Sequence, residues 1–268
     1  NQSLTADEIK EISGILNGTT NYILTKMDKE GLVFDEVLKD AQEKGYAERN
    51  PEADIEGYDA CRKIAILSSL AFGFQVDFED IHTEGITEIS AMDFRYAEKL
   101  NRSIKLLGLS RKTEQNKIYA IVAPFMISPE HALYPVSGVI NGIHLVGNMV
   151  GDVTFIGAGA GKLPTASAVV TDIIDCAKHL GTSIMTFWSR EKLELSDYTA
   201  AEYKFYIRIQ GDKNKRLPGF EAALGNLQVV ELDGVTDEFA VVTDVMVEGR
   251  LDEALDKADG VLGKIRML

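Results

Sequence analysis

Between Glu48 and Asp59 the stretch ERNPEADIEGYD sets five carboxylates (Glu48, Glu52, Asp54, Glu56 and Asp59) into twelve positions, and Arg62 and Lys63 follow. On a helix, Asp59 and Lys63 stand four apart and share a face. Continued, that face meets Ile66, Leu67 and Leu70, which predicts that the charged pair lies on the stripe that becomes buried. Two chemistries suit this. One is a solvated acidic helix entry, favourable to the helix dipole, ending in a surface ion pair of about 0.3–0.5 kcal/mol. The other is a cluster that binds an ammonium group and orients a lysine able to donate a proton. Spacing alone leaves both open.

A second candidate is TFIGAGAGKLPTASAVVTDI, where a strand runs into Gly157, Gly159 and Gly161 before a helix begins. Such turns let phosphates approach backbone amides. The Walker spacing fails, because only three residues separate Gly157 and Gly161. The GxGxxG fingerprint fails too, because Lys162 takes its sixth position. A tight structural turn is the alternative. NGTTN at 17–21 reads as an ordinary turn, with Thr19 as the expected helix cap.

The elements that must position these residues follow from pattern. EIKEISGILNGTTNYILTKM reads as strand, turn and helix, and FDEVLKDAQEKG as a helix stopping at Gly45. One long helix is expected over 54–71 and another over 91–101. RSIKLLGLSRK and KIYAIVAPFMIS read as strands joined by a polar turn at 112–117, and LPTASAVVTDIIDCAKHL as a helix with Pro164 near its start. SREKLELSDYTAAEY reads as a linker. Beyond about 200, strand-like KFYIRIQG, LQVVELDG, EFAVVTDVMVEG and GKIRML alternate with helical FEAALGN and LDEALDKAD, a separate βαββαβ unit. The fold class is therefore α+β, a mixed-sheet domain over 1–198 followed by a small domain over 199–268.

With 268 residues, 45% apolar content and 26% charge, this is ordinary globular composition. Net charge of −14 repels phosphate backbones, so a nucleic-acid partner is not expected. No apolar run reaches the roughly 18 residues of a membrane span, and no secretory signal pattern is seen, so a cytoplasmic chain without a membrane partner is expected. Cys61 and Cys176 read as two buried free thiols. His82, His131, His144 and His179 lack metal-ligand spacing, so no metal is expected.

GILNGTTNYILTKM, GYAERNPEADIEGYDACRKIAIL and FIGAGAGKLPTASAVVTDI, in this order, resemble the homoserine dehydrogenase family over about residues 8–180. The tail looks, more loosely, like an ACT-type regulatory module. The resemblance implies an NAD- or NADP-dependent enzyme interconverting aspartate 4-semialdehyde and L-homoserine. It implies Lys63 as proton donor with Asp59 as companion, and Glu48, Asp54, Tyr46, Gly18 and Thr19 at the substrate. It implies Gly157, Gly159 and Gly161 beside the cofactor, and a homodimer. The family's N-terminal nucleotide-binding domain has no counterpart here, and the chain opens at Asn1. It therefore reads as a C-terminal portion that folds and dimerises without turnover. The rival reading is a non-catalytic amino-acid sensor or dimerisation protein. In the tail, the basic insert Lys213-Asn214-Lys215-Arg216 and a helix of about two turns suggest a poor effector site.

Overall fold

A computed structural model describes residues 4–113, 117–182 and 187–268. Strand β1 (Ile9–Ile15) feeds α1 (Gly18–Glu30), then come α2 (Phe34–Glu43), α3 (Glu52–Ile55) and α4 (Tyr58–Phe72). Short β2 (Phe74–Gln75) and β3 (His82–Thr83) precede α5 (Ala91–Lys99), β4 (Ser103–Lys112), β5 (Ile118–Ile127), β6 (Ile140–Gly147), β7 (Gly151–Ala158) and α6 (Lys162–Lys178). The remainder is β8 (Ser189–Lys192), β9 (Glu202–Gln210), α7 (Lys213–Leu224), β10 (Leu227–Val230), β11 (Glu238–Thr243), β12 (Met246–Val247), α8 (Glu248–Leu255) and β13 (Val261–Met267). Most of the turn expected at 112–117 lies outside the described residues.

One mixed sheet spans the molecule in the order β10-β11-β9-β13-β5-β4-β1-β6-β7. β5 is buried along its whole length, as its near-continuous apolar sequence requires. Its even side chains, among them Val122 and Met126, pack toward α1, α2, α4 and α5. Its odd ones, such as Ile121 and Phe125, join the second core with Phe220 of α7 and Leu251 of α8. From α1, Ile23, Leu24 and Met27 are sealed in the first core, each contributing about 1.5–3 kcal/mol.

The structure differs from the sequence pattern at five places. The tail has βαββαβ order, but its sheet is continuous with the rest, because β13 pairs in parallel with β5 (Arg266 opposite Phe125). The stretch expected as a linker holds β8, paired with β2, and Tyr198, stacked on His82 at 3.6 Å. α7 has 12 residues, not two turns. Asp212 caps it by accepting from the Asn214 amide, so the basic insert is its first turn, and Phe220 and Leu224 bury its inner face. Cys61 is buried, but Cys176 is exposed.

The fifth difference matters most for the site. The helix expected over 54–71 is broken, with Gly57 in the left-handed region (φ +79°) between α3 and α4. A β-carbon there would stand 3.1 Å from Glu84 O and 3.2 Å from Thr83 Cγ2. The break turns α4 so that Ala60, Cys61, Ile64, Ala65, Ser68 and Ser69 face the core. The Asp59–Lys63–Ile66 face, expected to be buried, opens outward instead, and Ile66 is 51% exposed.

Candidate active site

That outward face of α4 forms one wall of a cavity of about 780 Å³. Asn17, Gly18 and Thr19 line it from the β1–α1 turn, Tyr46 from beyond α2, Asp54 from α3, and Asn141, Gly159 and Gly161 from β6 and the end of β7. Asn17 organises the acidic side. Its Oδ1 accepts from the Thr20 amide at 2.9 Å, so it is Asn17, rather than the expected Thr19, that caps α1. Its Nδ2 donates to Asp54 Oδ1 at 2.7 Å and to Asp59 Oδ2 at 2.9 Å, which engages both amide protons. One neutral side chain thus pins two carboxylates from two helices.

Lys63 Nζ lies 2.6 Å from Asp59 Oδ2 and donates to Leu16 O at 3.0 Å. An ammonium carries three protons, so one remains for a ligand. Half the lysine side chain is exposed. Burial pushes the Asp54 carboxyl up; Asn17's hydrogen bond works against that, while the nearby Asp59 charge reinforces it. Thr19 Oγ1 donates to Tyr46 O at 2.7 Å, tying the two expected substrate residues together across 27 positions. Gly18 is required by packing, since a β-carbon would stand 2.9 Å from Val139 O.

Two expected residues stay apart from this group. Glu48 is exposed and does not line the cavity, nor does Gly157, which lies within β7. Two contributors escaped the sequence reading. Asn17 was visible as half of an Asn-Gly turn, but nothing local revealed its reach to Asp54 and Asp59. Asn141, the second residue of β6, donates to Ile15 O at 3.0 Å and gave no signal at all. A β-carbon on Gly159 would come within 2.4 Å of Asn141 Oδ1, so any other residue there would displace the Asn141 side chain.

The cavity suits a small amino-acid-like molecule, with carboxylates for an ammonium and a lysine proton beside them. For a dinucleotide the residues fit one wall. Gly159-Ala160-Gly161 presents little side chain, and α6 opens without a side-chain cap. Among the described residues no cluster of three or more His, Cys, Asp or Glu is placed to hold a metal. None of their helices is long and apolar enough to cross a membrane.

The family model described as homoserine dehydrogenase matches residues 1–174. The chain is 50% identical to the homoserine dehydrogenase of Synechocystis, covering 96% of this chain and 64% of that one. It superposes on a solved homoserine dehydrogenase from Thiobacillus denitrificans with a TM-score of 0.89 and 35% identity, covering 100% of this chain and 66% of that one. A hyperthermophilic archaeal homoserine dehydrogenase solved with NADPH is 32% identical at a TM-score of 0.52, over 65% of this chain and 49% of that one. The chain thus spans no more than about two thirds of the length of the curated relatives it matches.

Proposed function

We propose, on the premise that the chain belongs to the homoserine dehydrogenase family, that it carries the substrate side of an NAD(P)-dependent dehydrogenase interconverting aspartate 4-semialdehyde and L-homoserine. The observation that carries the proposal is the shared Asn17 amide, which draws Asp54, Asp59 and, through Asp59, Lys63 into one cavity. Asp54 and its neighbours receive the substrate ammonium, and Glu48, exposed and outside the lining, is kept as a substrate residue on the family resemblance alone. In the reducing direction negative charge develops on the aldehyde oxygen. Lys63 stabilises and protonates it, and Asp59 keeps the ammonium aimed. When bound, the reduced cofactor, NADH or NADPH, would supply the hydride, and Gly159 and Gly161 are the residues of this chain that would meet it. Gly157, within β7 and outside the lining, is kept beside the cofactor on the family resemblance alone.

We assign residues 1–198 to catalysis and residues 199–268 to an ACT-like module, on its βαββαβ order. The ground for calling that module a poor sensor is gone, because α7 has 12 residues. Homodimerisation is supported by β7, an edge strand with Phe155 and Ile156 exposed, and by α6, whose Val169, Val170 and Ile173 are uncovered. A cytoplasmic location fits a biosynthetic role. In a catalytically competent form containing these residues, Lys63→Ala should cut kcat by about 10²–10⁴-fold with a smaller change in KM. Near-normal kcat in a folded variant would remove Lys63 from the chemistry.

A further inference from the structure

Two strands share one edge of β5. β3 pairs with Ile121 and Val122, and β13 pairs with Phe125 and Met126, both in parallel. Where they meet end to end, Arg266 of β13 is sealed at 1% exposure between two carboxylates. Its Nη1 and Nη2 grip Glu84 at 2.8 and 2.7 Å, and its Nε donates to the wholly buried Glu248 at 2.8 Å. His82 Nε2 lies 2.8 Å from the same Glu84, and Lys264 Nζ 3.2 Å from Glu248. Burial alone would raise the Glu84 carboxyl, but the Arg266 guanidinium and His82 hold it well below the ordinary range.

The segment so gripped is the one that shapes the helix break. Glu84 N donates to Val122 O at 2.7 Å, and Ile86 N donates to Ile55 O at 2.8 Å, between Asp54 and the Gly57 break. Gly85 has no room for a side chain, since its β-carbon would lie 2.4 Å from Ile55 O and 2.7 Å from Glu56 Cα. Asp54 lies one residue before Ile55, and Asp59 two residues beyond Gly57. No atom of the ion cluster lines the cavity.

We infer that Arg266, gripped by Glu84 and Glu248, is a positioning residue for the Asp54–Asp59–Lys63 group, acting through segment 84–86 on the α3–α4 break. The tail thereby supplies part of the substrate site's geometry without touching substrate. The substrate arm of this inference rests on the proposed dehydrogenase reading; the exchange arm does not.

The experiment uses the full 268-residue chain in three variants. Glu84→Gln weakens the grip while keeping its shape. Gly85→Ala wedges the seam and removes no charge. Arg208→Gln breaks another buried tie between tail and body, to Asp93 at 3.2 Å, and serves as a stability control. Amide exchange over 54–63 should quicken about tenfold in Glu84→Gln and Gly85→Ala, and L-homoserine affinity measured by calorimetry should fall by a similar factor. Exchange in α1 and β4 should not change, and Arg208→Gln should alter neither 54–63 nor affinity. Unchanged exchange over 54–63 in both seam variants would overturn the inference, as would an equal increase in Arg208→Gln. If wild type shows no homoserine binding while exchange responds as expected, the dehydrogenase reading fails and the positioning role stands.

Discussion

The chain holds two groups of carboxylates gathered around a cation, and they have opposite character. At the seam, Arg266 directs four hydrogen bonds into Glu84 and Glu248, at 1% exposure. In the cavity, Lys63 has the same kind of partner in Asp59, yet half its side chain is open and one proton is unengaged. The two clusters differ in unused hydrogen-bonding capacity facing a cavity, which only the Lys63 group has. The number of charges is similar in both.

The comparison can be broken most forcefully at the seam. Arg266→Met takes the guanidinium from the wholly buried Glu248 and the partly buried Glu84, which should cost about 3–5 kcal/mol. Lys63→Met should cost no more than about 1 kcal/mol, since that pair is exposed. Urea denaturation of both variants checks this, and equal losses would erase the distinction.

Next in size is Lys105, a buried cation in neither group. It donates to Val136 O at 2.7 Å at 5% exposure, and burial pushes its ammonium down to about 8, with the Asp28 charge opposing. Unfolded, it keeps its proton to about pH 10.4. Between those values the unfolded chain binds more protons, so this group makes stability rise with pH from about 8 to 10. Lys105→Met should therefore raise stability at pH 7 by roughly 1–3 kcal/mol, with the gain shrinking above pH 8. Melting curves at pH 7 and pH 9.5 read the difference directly.

The smallest effect on stability belongs to Asn17→Ala, which removes the α1 cap and should cost about 1 kcal/mol. It also releases Asp54 and Asp59 together, so homoserine affinity should suffer more than the melting temperature does. An affinity loss no larger than the stability loss would reduce Asn17 to a cap.

What was legible in the sequence was local. Periodicity marked α1, α2, α5, β4 and β5, and the strand–helix order of the tail. The residue types and spacing of Asp54, Asp59 and Lys63 left both a solvated helix entry and a site open, and only the family resemblance favoured the site. What failed depended on contacts between distant segments. A single helix over 54–71 was the sound local reading, and it breaks at Gly57 because residues 83–85 occupy the space beside it. The tail read as separate because the β13–β5 pairing joins residues about 140 positions apart. α7 was shortened by treating its basic first turn as an insert, although Asp212 is a good capping residue in its own right.

The proposed function requires the cavity walled by α4 to hold the substrate through Asp54 and Lys63. Calorimetric titration of L-homoserine into the 268-residue chain tests it most directly, alongside Asp54→Asn, which keeps the shape but removes the charge. Saturable binding to the wild type, weakened at least about tenfold in Asp54→Asn, is the predicted result. Binding of equal strength in both would contradict it.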